Sequence, residues 1–195
     1  MTCIIGVFDK EQNCVYIGAD SLGSNGYSQQ LFRNKKVFKA TDNSNIVMAI
    51  SGDYKLSNIL SIEDKLVEEL KELKNEVNIS HIIQYTVPKI IDSAMKYRCY
   101  KNRDGYVSIE GDIIFAYKNQ LYIIESNLQV LESDDDYLAS GSGKQFAMAV
   151  LSQNKDKSTI DRIKEGLEAS EKHGIGIKRP FYIMNTKDDK VIKID

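Results

Sequence analysis

The sequence predicts an α+β fold, a four-layer αββα sandwich in which two mainly antiparallel sheets lie between two layers of helices. The predicted elements follow the order strands, two helices, strands, two helices, strands, which lacks the regular alternation of a parallel sheet. With 195 residues, of which 42% are hydrophobic and 28% charged, the chain is long enough to bury a full core. No linker composition interrupts it, so we predict one domain over residues 1–195.

The first half of the chain begins with two predicted hairpins. Residues 3–8 and 14–19 are joined by the polar loop DKEQN, and residues 37–40 and 46–51 are joined by TDNSN. Two amphipathic helices follow, each with one apolar stripe at helical spacing. The stripes are Leu56, Ile59, Leu60, Leu66, Val67, Leu70 and Leu73 in the first helix, and Ile82, Ile83, Val87, Ile90, Ile91, Ala94 and Met95 in the second.

The second half returns to strands, then helices, then strands. The predicted strands lie at 112–117, 120–125, near 128–131 and at 137–140. Helices are expected at about 143–154 and 158–173, and the segments FYIMN and KVIKI close the chain as strands. We therefore expect the two sheets to draw strands from both halves of the sequence.

Composition argues against several classes of partner. The net charge is -2 and the Lys and Arg residues are interspersed with Asp and Glu, so we expect no nucleic-acid partner. No apolar run approaches the roughly 18 residues of a membrane span, so we expect no membrane partner and a cytoplasmic protein. Cys3, Cys14 and Cys99 lack metal or disulfide spacing, and SDDDY at 133–137 is typical of a solvated loop. We expect no metal and no cofactor.

The segment SGSGKQ at 140–145 superficially resembles a phosphate-binding loop. It lacks the first glycine and the final Ser or Thr of that motif, because Leu138 and Gln145 stand at those positions. Two interpretations remain, a plain glycine turn with a solvated serine and a strand-to-helix turn that presents Ser142.

A threonine lies directly before the first predicted strand. Removal of Met1 would leave Thr2 with both a hydroxyl and a free α-amine, the arrangement of an N-terminal threonine nucleophile. Many chains begin Met-Thr, so the pattern alone does not separate this interpretation from an ordinary start.

An acidic and a basic residue stand at the ends of neighbouring predicted strands. Asp20 follows the second strand in GADSLGSNG, and Lys36 precedes the third in RNKKVFKA. Near Thr2, a lysine cation would lower the pKa of the terminal amine from about 7.7–8.0 and favour its neutral form. The alternative is a surface ion pair, which contributes about 0–1 kcal/mol to stability.

These segments together resemble the proteasome β-subunits and the bacterial proteasome-like peptidases, which are N-terminal-nucleophile hydrolases. The resemblance rests on Thr2 before an apolar strand, GADSLGSNG, RNKKVF, AISGD at 49–53 and LASGSG at 138–143. It implies the αββα fold, Thr2 as nucleophile, Asp20 and Lys36 as its Asp–Lys pair, and Ser142 as the serine that supports the terminal amine. We therefore expect these four side chains to converge.

The chain departs from the family pattern at two places. AISGD differs from the usual Ala-Gly pair, which leaves the N–H of Ser51 or of Gly52 as the oxyanion donor. EKHGIGIKRP places His173 and Gly176 where many active relatives carry an Asp and a Ser that brace the nucleophile.

An extended peptide could pair its backbone with the strands around 23–25 and 47–50. Ser24 lies in the first of these segments, and Met48 in the second is a candidate wall of a side-chain pocket.

The resemblance implies a threonine-type peptidase that requires removal of Met1 and cleaves short or unfolded peptides inside a ring-like homo-oligomer. It also suggests an ATPase unfoldase as a partner. The alternative is a non-catalytic ring or scaffold subunit that retains Met1. A third interpretation, an unrelated α+β binding protein, requires Thr2, Asp20 and Lys36 to lie far apart.

Overall fold

Two five-stranded sheets form the centre of the molecule, as the computed structural model of residues 1–24, 27–40, 45–63, 66, 77–103 and 105–195 describes it. The strands, in chain order, are β1 (Ile4–Asp9), β2 (Cys14–Ala19), β3 (Leu22–Ser24), β4 (Gln29–Leu31), β5 (Val37–Lys39), β6 (Ile46–Ile50), β7 (Lys101–Arg103), β8 (Tyr106–Ser108), β9 (Ile113–Tyr117), β10 (Gln120–Ile124), β11 (Val130–Glu132), β12 (Tyr137–Ser140), β13 (Phe181–Asn185) and β14 (Ile192–Ile194). The first sheet has the order β12-β1-β2-β13-β14 and the second the order β11-β10-β9-β6-β5. Neighbouring strands in both sheets are antiparallel.

The described helices fall into two groups along the chain. They are α1 (Tyr54–Leu60), α2 (Ile79–His81), a π-helical segment (Ile82–Thr86), α3 (Val87–Lys96), α4 (Lys144–Gln153) and α5 (Thr159–His173). The predicted helices after residue 143 are confirmed within two residues of their ends. The predicted helical positions Val67, Leu70 and Leu73 lie outside the described residues.

Three clusters of buried side chains define four layers. One cluster lies between the sheets and includes Ile4, Ile17, Val47 and Ile114. A second joins the outer face of the first sheet to α4 and α5, through Ile5, Val7, Ala147, Leu151, Ile163 and Leu167. A third joins the outer face of the second sheet to α1 and the helices of 79–96, through Ile46, Met48, Leu56, Leu60, Ile90 and Phe115. The predicted αββα sandwich is confirmed.

The start of β1 is held at the middle of the first sheet. Ile4 pairs with Ser140 at the end of β12 on one side and with Ala19 at the end of β2 on the other. Antiparallel pairing therefore brings three segments to one edge of the sheet, the residues before β1, after β2 and after β12.

Two short hairpins extend beyond the sheets. The strands β3 and β4 pair with each other, and β7 pairs with β8. No apolar alternation marks β4, β7 or β8, so our reading of the sequence did not predict them as strands.

Candidate active site

Thr2, Asp20 and Lys36 converge at the edge of the first sheet. Lys36 Nζ lies 3.0 Å from Thr2 Oγ1, 2.9 Å from Asp20 Oδ1 and 3.0 Å from Asp20 Oδ2. All three residues are buried, with 3%, 1% and 3% of their surface exposed. The predicted convergence is confirmed, and an ion pair on the surface is excluded.

The backbone around Thr2 fixes the Asp20 carboxylate. The Cys3 N–H donates to Asp20 Oδ1 and the Leu22 N–H donates to Oδ2, each at 3.0 Å. The Asp20 N–H in turn donates to the Cys3 carbonyl at 3.3 Å. Each carboxylate oxygen therefore accepts one backbone N–H besides the Lys36 ammonium, which leaves the aspartate little freedom to rotate.

Burial shifts the pKa values of Asp20 and Lys36 in opposite directions. It raises the pKa of the Asp20 carboxyl and lowers the pKa of the Lys36 ammonium, while the attraction between the two groups opposes both shifts. A buried lysine whose pKa is lowered and whose Nζ contacts a hydroxyl marks a candidate functional site.

Ser142 joins the same site from the turn after β12. The Thr2 N–H donates to Ser142 Oγ at 3.2 Å, and the Thr2 carbonyl accepts hydrogen bonds from Ser142 Oγ at 3.3 Å and from the Gly143 N–H at 3.2 Å. The turn approaches so closely that a Cβ at Gly141, whose φ is +91°, would lie 2.3 Å from the Thr2 carbonyl oxygen. A glycine is therefore required at position 141.

Met1 occupies part of the site. Thr2 Oγ1 donates to the Met1 carbonyl at 2.6 Å, and Lys36 Nζ lies 3.3 Å from the same oxygen. The Met1 side chain packs against Gly176. With Met1 present, the Thr2 nitrogen belongs to a peptide bond and cannot act as a base.

The two candidate oxyanion donors differ in their hydrogen bonding. The Ser51 N–H donates to the Asp112 carbonyl at 2.9 Å. For the Gly52 N–H, no acceptor is found within the described part of the chain. Gly52 has a φ of +101°, and a Cβ there would lie 2.4 Å from the Glu110 carbonyl oxygen. Gly52 is therefore the better candidate of the two.

Asp112 is a supporting residue that the sequence analysis missed. Its Oδ2 accepts a hydrogen bond from Ser140 Oγ at 2.6 Å, and Ser140 Oγ lies 3.1 Å from Ser51 Oγ. Ser51 Oγ also accepts the Asp112 N–H at 3.0 Å. This network ties the ends of β6 and β12 to the start of β9. An isolated Asp before a strand carries no sequence signal for such a role.

A small depression of about 150 Å³ lies beside the Thr2 hydroxyl. Its lining residues are Thr2, Lys36, Ile50, Gly52, Asp53, Tyr54 and Ser57. Ile50, Asp53, Tyr54 and Ser57 were not predicted.

Met48 and Ser24 do not line this depression. Met48 is fully buried in the cluster between the second sheet and the helices, so the structure does not support it as a wall of a substrate pocket. Ile50, two residues further along β6, shares its face of the strand and reaches the site. Ser24 is partly buried at the end of β3, and Asn25 lies outside the described residues.

Near the end of α5, Ser170 supports the site, from a position that the sequence analysis did not single out. His173 is exposed and contacts the Phe146 ring, with 5.8 Å between ring centroids. Ser170, fully buried, donates to the Gly143 carbonyl at 3.1 Å and accepts from Cys3 Sγ at 3.3 Å. It therefore braces the segments on both sides of Thr2.

Cys3, the residue directly after Thr2, carries a thiol. Burial raises the pKa of its thiol to about 12, so the thiol stays protonated at neutral pH. Across the described residues, no group of three His, Cys, Asp or Glu side chains is placed to hold a metal ion. No described helix is long and apolar enough to span a membrane.

Comparison with solved structures identifies the same fold in several proteins. The BPH protein of Thiobacillus denitrificans has a TM-score of 0.70 and 18% identity, over 100% of this chain and 99% of that one. The same protein in complex with epoxomicin has a TM-score of 0.69 and 15% identity, over 98% and 99%. HslV of Trypanosoma brucei has a TM-score of 0.67 and 15% identity, over 94% and 98%.

Sequence comparison matches the chain to a protein family but to no individual curated protein. No curated protein sequence matches the chain. A sequence model of the family described as "Proteasome subunit" matches residues 2–170. The match begins at Thr2 and includes Asp20, Lys36 and Ser142. The chain therefore belongs to the proteasome subunit family.

Proposed function

We propose that the protein is a threonine-type peptidase in which Thr2 Oγ1 is the nucleophile after removal of Met1. The contact between Lys36 Nζ and Thr2 Oγ1, 3.0 Å long, carries this proposal. The two oxygens of the buried aspartate accept from two of the three N–H groups of the Lys36 ammonium, and the Thr2 hydroxyl lies within reach of the third. That third contact directs its charge onto the one atom that would react.

In the first step, Thr2 Oγ1 attacks a peptide carbonyl and forms a C–O bond. The hydroxyl proton passes to the free α-amine of Thr2, directly or through a water molecule. Lys36 raises the fraction of neutral amine through its charge. Ser142 Oγ, 3.2 Å from the Thr2 nitrogen, holds that amine in position.

In the second step, the tetrahedral intermediate collapses to an ester. The Gly52 N–H stabilises the oxyanion, the C–N bond breaks, and the leaving amine takes the proton from the Thr2 ammonium. Water then attacks the ester with the Thr2 amine as base, which releases the acyl product and restores the hydroxyl.

The alternative function is that of a non-catalytic subunit that retains Met1. One observation favours it, since the Met1 carbonyl accepts hydrogen bonds from both Thr2 Oγ1 and Lys36 Nζ. These contacts satisfy the polar groups of the site without a substrate. The two functions differ in one covalent feature, the presence of Met1 in the mature protein.

The test compares protein with and without Met1. Intact mass after expression in a native-like host decides whether Met1 is removed. A fusion whose cleavage leaves Thr2 as the first residue supplies Met1-free protein in either case. We expect this protein to hydrolyse short peptides, and Thr2→Ala to lose at least about a thousandfold in rate, as other nucleophile deletions do.

Two controls make the assignment specific. Thr2→Ser keeps a hydroxyl and should retain part of the activity. Epoxomicin, in complex with which BPH was solved, should raise the melting temperature of Met1-free protein more than that of protein that keeps Met1. Equal hydrolysis by wild type and Thr2→Ala would overturn the nucleophile assignment. Retention of Met1 in the host together with an inactive Met1-free protein would favour the non-catalytic subunit.

A further inference from the structure

We propose that Tyr54 determines specificity by restricting the residue that supplies the scissile carbonyl to small side chains such as those of Gly, Ala and Ser. This inference rests on the proposed function. Because Thr2 and Gly52 both line the depression, a carbonyl placed between Thr2 Oγ1 and the Gly52 N–H would put its own residue beside it. Tyr54 lines that depression.

Tyr54 fills the space that a larger substrate side chain would need. It is the first residue of α1, and its ring lies with its centroid 5.6 Å from Lys36 Nζ. Its hydroxyl is buried and has no hydrogen-bond partner among the described residues. The depression that remains is shallow, since its roughly 150 Å³ include space open to solvent, and it has no room for a large side chain.

Two contacts hold the ring in this position. On its outer side, Phe32 packs edge-on against Tyr54, with ring centroids 5.7 Å apart and an interplanar angle of 64°. Phe32 in turn lies directly over Gly23, where a Cβ would be 2.2 Å from its ring. Tyr54 is therefore wedged between the Lys36 ammonium and an aromatic ring that the β3–β4 hairpin supports.

The backbone also sets where Tyr54 points. Asp53 caps α1 by accepting the Lys55 N–H at 2.8 Å, which fixes the first turn of the helix directly after Gly52. The candidate oxyanion donor and the residue that limits the side chain are thus two positions apart on one rigid segment. The Gly52 N–H would align the substrate carbonyl, and Tyr54 would limit the size of the side chain next to it.

The experiment measures binding, so that it does not depend on hydrolysis. The probes are three N-acetylated tripeptide acids that differ only in the last residue, Ala, Leu or Phe, and Met1-free protein is titrated with each while amide chemical shifts are followed. We expect the Ala peptide to bind at least tenfold more tightly than the other two. Tyr54→Ala should remove or reverse this order, and Tyr54→Phe should keep it, because the ring and not the hydroxyl limits the space.

The wild-type order by itself can overturn the proposal, even where Tyr54→Ala does not fold. Equal binding of the Ala, Leu and Phe peptides contradicts it, and so does the absence of binding by any of them. An unchanged order in a folded Tyr54→Ala protein also contradicts it. Size-dependent binding without hydrolysis would refute the proposed peptidase activity and leave the role of Tyr54 in specificity intact. Hydrolysis without size-dependent binding would refute the role of Tyr54 and leave the peptidase activity intact.

Discussion

Lys36 is the residue on which the site most depends. Its ammonium is buried and contacts Thr2, Met1 and both oxygens of Asp20. Bringing two charges out of water is costly, and removal of one partner from such a pair leaves the other uncompensated. The buried position from which Lys36 contacts the Thr2 hydroxyl therefore also makes Lys36 important for the stability of the fold.

We expect Lys36→Met to destabilise the protein by about 3–5 kcal/mol, because the Asp20 carboxylate would stay buried without its cation. Hydrolysis should also be lost, since the Thr2 hydroxyl and amine lose their neighbouring charge. Denaturant unfolding and peptide hydrolysis of Met1-free protein check the two effects.

Lys35→Met is the matched control for this substitution. Lys35 is the next residue, is only half-buried, and its Nζ lies 5.3 Å from the centroid of the Tyr182 ring. Its loss should change stability by no more than about 1 kcal/mol and leave hydrolysis in place. A Lys36→Met protein as active as Lys35→Met would contradict the role assigned to Lys36.

The residues at the site differ in how far the sequence could reveal them. Thr2 and Asp20 stand at the ends of β1 and β2, which pair in the first sheet. Lys36 precedes β5 of the second sheet, so the packing of one sheet on the other brings it to them. Met48 and Ile50 share one face of β6, and only the position of the strand end relative to Thr2 distinguishes a core residue from one at the site. Tyr54 and Phe32 meet through ring contacts between distant segments, which no local pattern predicts.

At the scale of elements, an ion pair fastens α5 to the start of β12, the strand that leads into the turn with Ser142. Arg162 Nη1 and Nη2 donate to the two Asp136 oxygens at 2.9 and 3.1 Å, and Asp136 directly precedes β12. Arg162 is 3% exposed. The hydrogen bonds from Arg162 hold the pKa of the Asp136 carboxyl below its ordinary value of 3.8.

We expect Asp136→Asn to destabilise the protein by roughly 2–3 kcal/mol at pH 7, less than for a fully buried pair because Asn still accepts one hydrogen bond. Since the folded pKa of Asp136 is lowered, the wild-type advantage is complete above the unfolded value near 3.8 and declines as the pH falls through the folded pKa. Denaturant unfolding of both proteins between pH 7 and pH 3 measures this difference.

The exposed pair of Lys155 and Asp135, 3.3 Å apart, provides the control for Asp136→Asn. Lys155→Gln should cause a much smaller loss, because solvent screens exposed pairs. A difference between wild type and Asp136→Asn that grows as the pH falls below 4 would contradict the assignment of this pair.

The elements that the sequence predicted are those with a buried face. Strands such as β1, β6 and β9 contribute apolar runs to the sheets, and α4 and α5 show helical periodicity because one face packs on the first sheet. The strands β4, β7 and β8 carry largely exposed side chains, so no apolar period marks them in the sequence. The β3–β4 hairpin nevertheless supports Phe32, and part of the site was therefore missed with it.

At the scale of the whole molecule, the polar groups proposed for catalysis come from both sheets and meet at one end of the sandwich: Thr2, Asp20 and Ser142 from the first sheet, and Lys36 and the Gly52 N–H from the second. The opposite ends of β1 and β2 lie beside the start of α5, where Thr159 Oγ1 donates to Asp9 Oδ2 at 2.8 Å. A peptidase open at its catalytic edge would meet any unfolded chain in its surroundings. Enclosure of that edge by further copies of the chain would limit access to short or extended peptides.

The last prediction concerns this assembly, which follows from membership of a family of proteasome subunits. Large apolar side chains remain exposed on the single chain, among them Tyr27, Leu31, Ile62, Tyr106 and Ile175. Contacts between copies would remove such groups from water, with about 25 cal/mol gained per Å² of apolar surface buried. We therefore expect light scattering to give a mass that is a multiple of 22.1 kDa and stays constant over a wide range of concentrations. The oligomer should hydrolyse short peptides while it leaves folded proteins intact. A 22.1 kDa species at every concentration would overturn the enclosed arrangement, even if Thr2 proved to be the nucleophile.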